Sequence, residues 1–144
     1  MQKYVFSMEK VLDWRSDLES TAQQVVKEKQ EVVRLEEEKL KRMTSESRKL
    51  KSEKLFYSSI DNLKRHNLYK EVLNDKITQQ RLVLGKAEKD LALALDSLKE
   101  AHKDKKVMEK LEEKEHTRYV DLIKKKEQDQ LDEISTLSYG RSFT

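Results

Sequence analysis

At 144 residues the chain has the length of one domain, yet charged residues make up 41% of it, hydrophobic residues 35% and aromatics 6%. It has no Pro, no Cys and two Gly, Gly85 and Gly140, so it lacks the turn residues of a multi-stranded sheet and the thiolates of disulfides and cysteine metal sites. Lys and Arg number 31 against 28 Asp and Glu, and the formal charge of +3 is too slight an excess to mark a nucleic-acid binder by itself.

In chain order, the opening segment from Met1 to Arg15 has no apolar run long enough for a secretory signal, because Glu9 and Asp13 interrupt it. Nowhere do about 18 apolar residues run together, as a membrane span requires. A cytoplasmic protein is expected. Tyr4, Met8, Val11, Leu12 and Arg15 fall on one side of a helix. Leu18, Ala22, Val25, Lys29, Val32, Glu36, Lys39 and Met43 continue in steps of four and three, a heptad seam with several charges in it. This predicts helix 1 over about 4–56.

A turn is expected over about 57–60, where Leu55-Phe-Tyr-Ser-Ser-Ile60 breaks the charge pattern and Ser58 can cap a new helix with Asp61 three residues on. Helix 2 is expected over about 61–137, followed by a short tail, 138–144. Its seam is cleaner, with Leu73, Ile77, Gln80, Leu84, Ala87, Leu91, Ala94, Leu98 and Ala101, the small Ala positions letting two backbones approach closely.

In an antiparallel hairpin, facing residues have a constant total of residue numbers. A total of 116 pairs Met8 with Met108, Leu18 with Leu98, Ala22 with Ala94, Val25 with Leu91, Val32 with Leu84 and Met43 with Leu73. Half of that total falls on Ser58. Totals shifted by seven keep the same faces, so only the register and turn chemistry together favour the hairpin. The fold class expected is all-α, an antiparallel two-helix coiled-coil hairpin with a longer second helix, forming a single domain over 1–144. Residues from about 113 to 137 then have no partner within the chain, although they carry Tyr119, Val120, Leu122, Ile123, Leu131, Ile134 and Leu137. Such a stripe reads as a docking surface, or else as a site of self-association or fraying.

Sites for chemistry are scarce. His102 and His116 lie 14 residues apart, about 21 Å along a helix, so they cannot share a metal, and His66 stands alone. Gly85-Lys86 invites a phosphate-loop reading, but Gln80 stands where the first Gly belongs and Ala87 where Ser or Thr belongs. Carboxylate runs such as Glu36-Glu-Glu38 read as solvated helix faces. No enzyme activity, metal or cofactor is expected. Charge is uneven: Lys39 to Lys70 holds ten Lys or Arg against Glu46, Glu53 and Asp61, a local +7 that leaves −4 elsewhere. A basic tip can steer docking onto an acidic partner; with Tyr57, Tyr69 and Phe56 as the aromatics nearby, it is a poor stacking platform for nucleic acid.

Three stretches resemble one family. Phe6-Ser-Met-Glu-Lys-Val-Leu-Asp-Trp-Arg15 is similar to the F-x-L-x-x-(V/L)-L-x-x-R opening of the flagellar export protein FliJ family. Leu68-Tyr-Lys-Glu-Val-Leu73 resembles that family's aromatic-hydrophobic-Leu signature in helix 2, and Leu111-Glu-Glu-Lys114, Tyr119 and Asp132-Glu-Ile134 resemble its C-terminal segment. The resemblance implies a non-enzymatic stalk and chaperone of flagellar type III export, peripheral to the inner membrane at the flagellar base through protein partners. The implied partners are the export ATPase hexamer, the cytoplasmic domain of the export gate and substrate-specific export chaperones; nucleic acid is not among them. Carried onto this sequence, gate binding falls on Tyr69, Leu73, Lys76 and Gln80, and ATPase-ring binding on Phe6, Met8, Val11, Leu12, Arg15, Tyr119, Leu122 and Ile123. The family favours a small residue where Lys76 stands and often His where Gln80 stands. The alternatives are an injectisome stalk of the same fold and a structural tether, such as a parallel dimer of one long helix roughly 200 Å in length.

Overall fold

A computed structural model describes residues 3–52 and 60–142, with side chains described to residue 140. Two helices account for nearly all of these, α1 (Glu9–Ser52) and α2 (Ile60–Ser142), and no strand occurs among the described residues. The fold is therefore all-α, with the two helices packed against each other. With no Pro to break a ladder, helices of 44 and 83 residues can form. Local pairs support them: Arg34 lies between Glu31 and Glu38, Lys106 meets Glu109 at 3.1 Å, and Gln128 donates to Asp132 at 3.0 Å. Each such pair contributes on the order of 0.2–0.5 kcal/mol. Lys49 and Lys51 in the last described turn of α1, and Asp61 in the first turn of α2, complement the helix dipoles. Of the turn expected over about 57–60, residues 57–59 with the cap Ser58, and the neighbours Leu55 and Phe56, lie outside the described residues, while Ile60 already belongs to α2.

Contacts divide the chain into two compact units, Ser20–Glu100 and Met1–Glu19 with Ala101–Thr144. In the first of these, Gln80 Nε2 donates to the carbonyl of Glu36 at 3.0 Å and to its carboxylate, while the Tyr69 hydroxyl donates to Glu46. Partner numbers fall as residue numbers rise, so the strands of this coil are antiparallel. Glu36 with Gln80 total 116, the register expected from the sequence. The α2 seam appears as read: Leu73, Ile77, Gln80, Ala87 and Ala94 are buried, with Leu84, Leu91 and Leu98 half-buried.

The α1 seam needs a correction. Ala22, Lys29, Glu36 and Met43 face inward as expected, but the alternate positions are Glu19, Val26, Val33 and Leu40, not Leu18, Val25, Val32 and Lys39. Val26 is 6% exposed, whereas Val25 is 37% and Val32 45% exposed. Adjacent pairs Val25-Val26 and Val32-Val33 made the one-residue choice invisible to a hydrophobicity count. Leu18, Val25 and Val32 therefore lie outside the seam, and Glu19, Val26 and Val33 take the inward positions beside them.

In the unit holding both chain ends, residues 3–8 are not helical, so helix 1 begins at Glu9 and not near residue 4. The Glu9 N–H donates to the Phe6 carbonyl at 3.2 Å, and the Leu12 N–H donates to Met8 at 3.0 Å. Phe6 is buried at 4% exposure while Met8, the expected partner of Met108, is 43% exposed. At its other end α2 continues through the expected tail to Ser142.

Candidate docking surfaces

Residues 3–8 form an arm laid across α2. The Tyr4 ring meets His116 edge-on at 5.0 Å and Tyr119 at 5.2 Å, and its hydroxyl donates to the Glu112 carbonyl at 3.4 Å. Ser7 donates its N–H and hydroxyl to the two oxygens of Glu115, at 3.2 and 2.8 Å. Burial, then the charges of Glu115 and Glu112, push the Tyr4 phenol above its ordinary pKa. The arm is why the segment without an intramolecular partner is shorter than expected. Tyr119, Val120 and Ile123 are half-buried, and full exposure begins at residue 124 and continues through residue 140.

The expected ATPase-ring residues all lie in this unit. Leu122 and Met8 are exposed, Phe6 is buried, and Val11, Leu12, Arg15, Tyr119 and Ile123 are half-buried. Arg15 binds Asp104 at 3.2 Å while its guanidinium sits 4.7 Å from the centroid of the Trp14 ring. It thus ties the helices together and holds an exposed indole. The sequence reading omitted Trp14 and the arm residue Tyr4. The helix beyond residue 123 displays Leu131, Ile134, Leu137 and Tyr139, each 58–68% exposed.

At the base of the coil, Glu19 occupies a seam position where an apolar residue would be normal. His102 lies 3.2 Å from it and Lys105 3.4 Å. The hydrogen bond with His102 chiefly, with help from Lys105, holds the Glu19 carboxyl below its ordinary range against the opposing effect of burial.

In the unit Ser20–Glu100, the four expected gate residues divide by heptad position. Leu73 and Gln80 are buried in the seam, at 5% and 8% exposure, while Tyr69 (45%) and Lys76 face outward. The bond to Glu46, with partial burial, raises the Tyr69 phenol above its ordinary pKa. Of the basic cluster, Lys41, Arg42, Arg48, Lys49, Lys64 and Arg65 are exposed and Lys70 is half-buried. Gly85-Lys86 lies within the unbroken helix α2, so no phosphate-cradling loop exists there. No group of three or more metal-ligand side chains occurs among the described residues, and no described helix is long and apolar enough to cross a membrane.

Two packed helices, with exposed apolar residues along them, define the chain as an all-α coiled-coil protein. The family model described as flagellar FliJ protein matches residues 4–143. The chain belongs to that family, and so is a component of flagellar protein export. No curated protein sequence and no solved structure matches it significantly.

Proposed function

We propose that the protein is a stalk of the flagellar type III export apparatus, joining the export ATPase ring to the membrane export gate. In this reading the unit holding both chain ends enters the ring and promotes its assembly. The coil nearer the turn, through Tyr69 and Lys76, meets the cytoplasmic domain of the gate and couples ATP hydrolysis to export. Leu73 and Gln80 act there by positioning those two residues from the seam beneath. Export chaperones are further partners, and contact with the membrane is through proteins.

The observation that carries the ring-binding half is the fully exposed helix from residue 124 to 140, with its stripe of Leu131, Ile134 and Leu137. An apolar ridge on a helix that no other described residue covers is suited to a groove in a partner. The basic cluster gives the gate-facing half a means of electrostatic steering. Truncation after Ile123 is the test, because it removes the exposed helix and keeps every contact of the arm. Helicity per residue is expected to persist while the ATPase is no longer captured in a pull-down; undiminished capture would overturn the ring-binding half. Tyr69→Ala is expected to weaken capture of the gate domain with helicity unchanged.

A further inference from the structure

Within residues 20–100 the two long flanks of the coil differ in chemistry. One is mostly polar, with Gln30 and Glu37 on α1 and Asn74, Arg81 and Glu88 on α2, all exposed, and Leu95 as an apolar member. The other carries apolar residues on both helices, interspersed with Lys39 and Glu46 of α1 and Lys76 and Asp90 of α2. Val25, Val32 and Leu35 of α1 are 37%, 45% and 44% exposed, and Tyr69 and Val83 of α2 are 45% and 46% exposed. The bond between Tyr69 and Glu46 fixes which residues share this flank. Tyr69 and Glu46 total 115, and by heptad position the same total matches Val32 with Val83 and Lys39 with Lys76.

We propose that this flank takes a third helix, an amphipathic segment from a partner protein with acidic residues beside its apolar stripe. Val25 and Val32 are one heptad apart on α1, and Tyr69 and Val83 two heptads apart on α2. They form two ridges with a groove between them, the geometry into which the knobs of an added helix fit. Charge chooses the occupant. Lys39 and Lys76 are exposed at matching heptad positions of this flank, Arg42 adds a third exposed cation, and half-buried Asp90 lies toward the Val25 end. Lys39 has the Glu36 carboxylate 3.5 Å away, and the nearby Glu46 accepts the Tyr69 hydroxyl. A basic rim beside an apolar groove is complemented by carboxylates flanking an apolar stripe. A second copy of this chain would bring its own Lys39, Arg42 and Lys76 to the same groove. The proposal shares Tyr69 and Lys76 with the gate-docking reading and stands on the α1 residues which that reading leaves out.

The test is photo-crosslinking of the full-length protein in flagellated cells, with a photoreactive phenylalanine analogue replacing Val32, Val83, Gln30 or Arg81 in turn. Positions 32 and 83 are expected to give adducts with one and the same partner segment, amphipathic and net acidic, at least tenfold above positions 30 and 81. Leu35→Glu, at an exposed site, is expected to reduce the adduct at position 83 by a similar factor with helicity intact. No adduct at either position, equal yields on both flanks, or adducts with lipid, a second copy or a basic segment would overturn the proposal. Failure here, together with loss of gate capture by Tyr69→Ala, would leave the gate-docking reading standing; an acidic-helix adduct at position 32 with gate capture unaffected by Tyr69→Ala would do the reverse.

Discussion

Leu73→Ala separates structure from docking at the place where the sequence resemblance merges them. Leu73 is 5% exposed in the seam and Tyr69, one turn earlier, is 45% exposed. Replacing Leu by Ala removes three carbons from that site. At about 0.8 kcal/mol per buried methylene the transfer loss is about 2–3 kcal/mol. The cavity contribution is expected to be small, because a two-helix coil can close partly over the gap, which keeps the total at the low end of the range for such changes. Ala is at least as good a helix former as Leu, so no propensity loss adds to it. With a urea m-value on the order of 2 kcal/mol/M, the midpoint followed by circular dichroism is expected to fall by roughly 1 M. Tyr69→Ala is expected to cost under about 1 kcal/mol, since it loses an exposed ring and one surface hydrogen bond. Gate capture is expected to fall with Tyr69→Ala under conditions where both variants are fully folded. An unchanged urea midpoint for Leu73→Ala would refute the seam assignment and make Leu73 a surface residue awaiting a partner.

Gly85→Ala is expected to stabilise the coil by about 0.5–1 kcal/mol, read as a higher urea midpoint, because a Cβ there meets nothing within 4 Å and glycine is a poor helix former. The corrected α1 seam predicts that Val26→Asn destabilises by about 1–3 kcal/mol and Val25→Asn by under about 0.5 kcal/mol in the same assay; equal effects would restore the ambiguity. Glu19 has a folded pKa depressed below its unfolded value, so its contribution is present above the usual glutamate range and is lost as pH falls through the folded value. The difference in thermal midpoint between wild type and Glu19→Gln is therefore expected to be largest near neutral pH and to shrink toward pH 3, and a constant difference would rule out this linkage.

How much of this was legible depended on whether spacing could separate neighbouring apolar residues. In α2 the doublets Val72-Leu73 and Val83-Leu84 occur, but the run of Leu and Ala from Leu73 to Ala101 keeps one period and located the seam. In α1 the doublets Val25-Val26 and Val32-Val33 offered two registers of equal hydrophobicity. Only the packed partner helix decided between them, and it chose the register that buries Glu19. That choice is tolerable because His102 and Lys105 approach the carboxylate, and those contacts lie more than 80 residues away in sequence, beyond any local pattern. The arm was hidden for a related reason. Tyr4, Met8 and Val11 have helical spacing, but the aromatic contacts of Tyr4 with His116 and Tyr119 hold residues 3–8 out of the helix. Among the candidate site residues, burial separates Phe6, Leu73 and Gln80, which lie inside, from Met8, Tyr69, Lys76 and Leu122, which lie outside.

The displaced valines have a consequence for function as well as register. Had Val25 and Val32 filled the seam, Val26 and Val33 would have been left outside. Either way α1 carries more apolar residues than one seam can bury. The same surplus recurs on α2, where Tyr69, Val72 and Val83 stand outside a seam already occupied by Leu73, Ile77 and Leu84. A protein selected only as a spacer would gain nothing from this excess, since exposed apolar ridges favour aggregation, and charged residues at those positions would serve solubility better. Surplus apolar residues that keep heptad spacing on both helices, beside a cluster of cations, are what a surface needs to receive another helix. The many charged residues beside such a surface favour its hydration while it is uncovered, and the proposed acidic helix would replace that water.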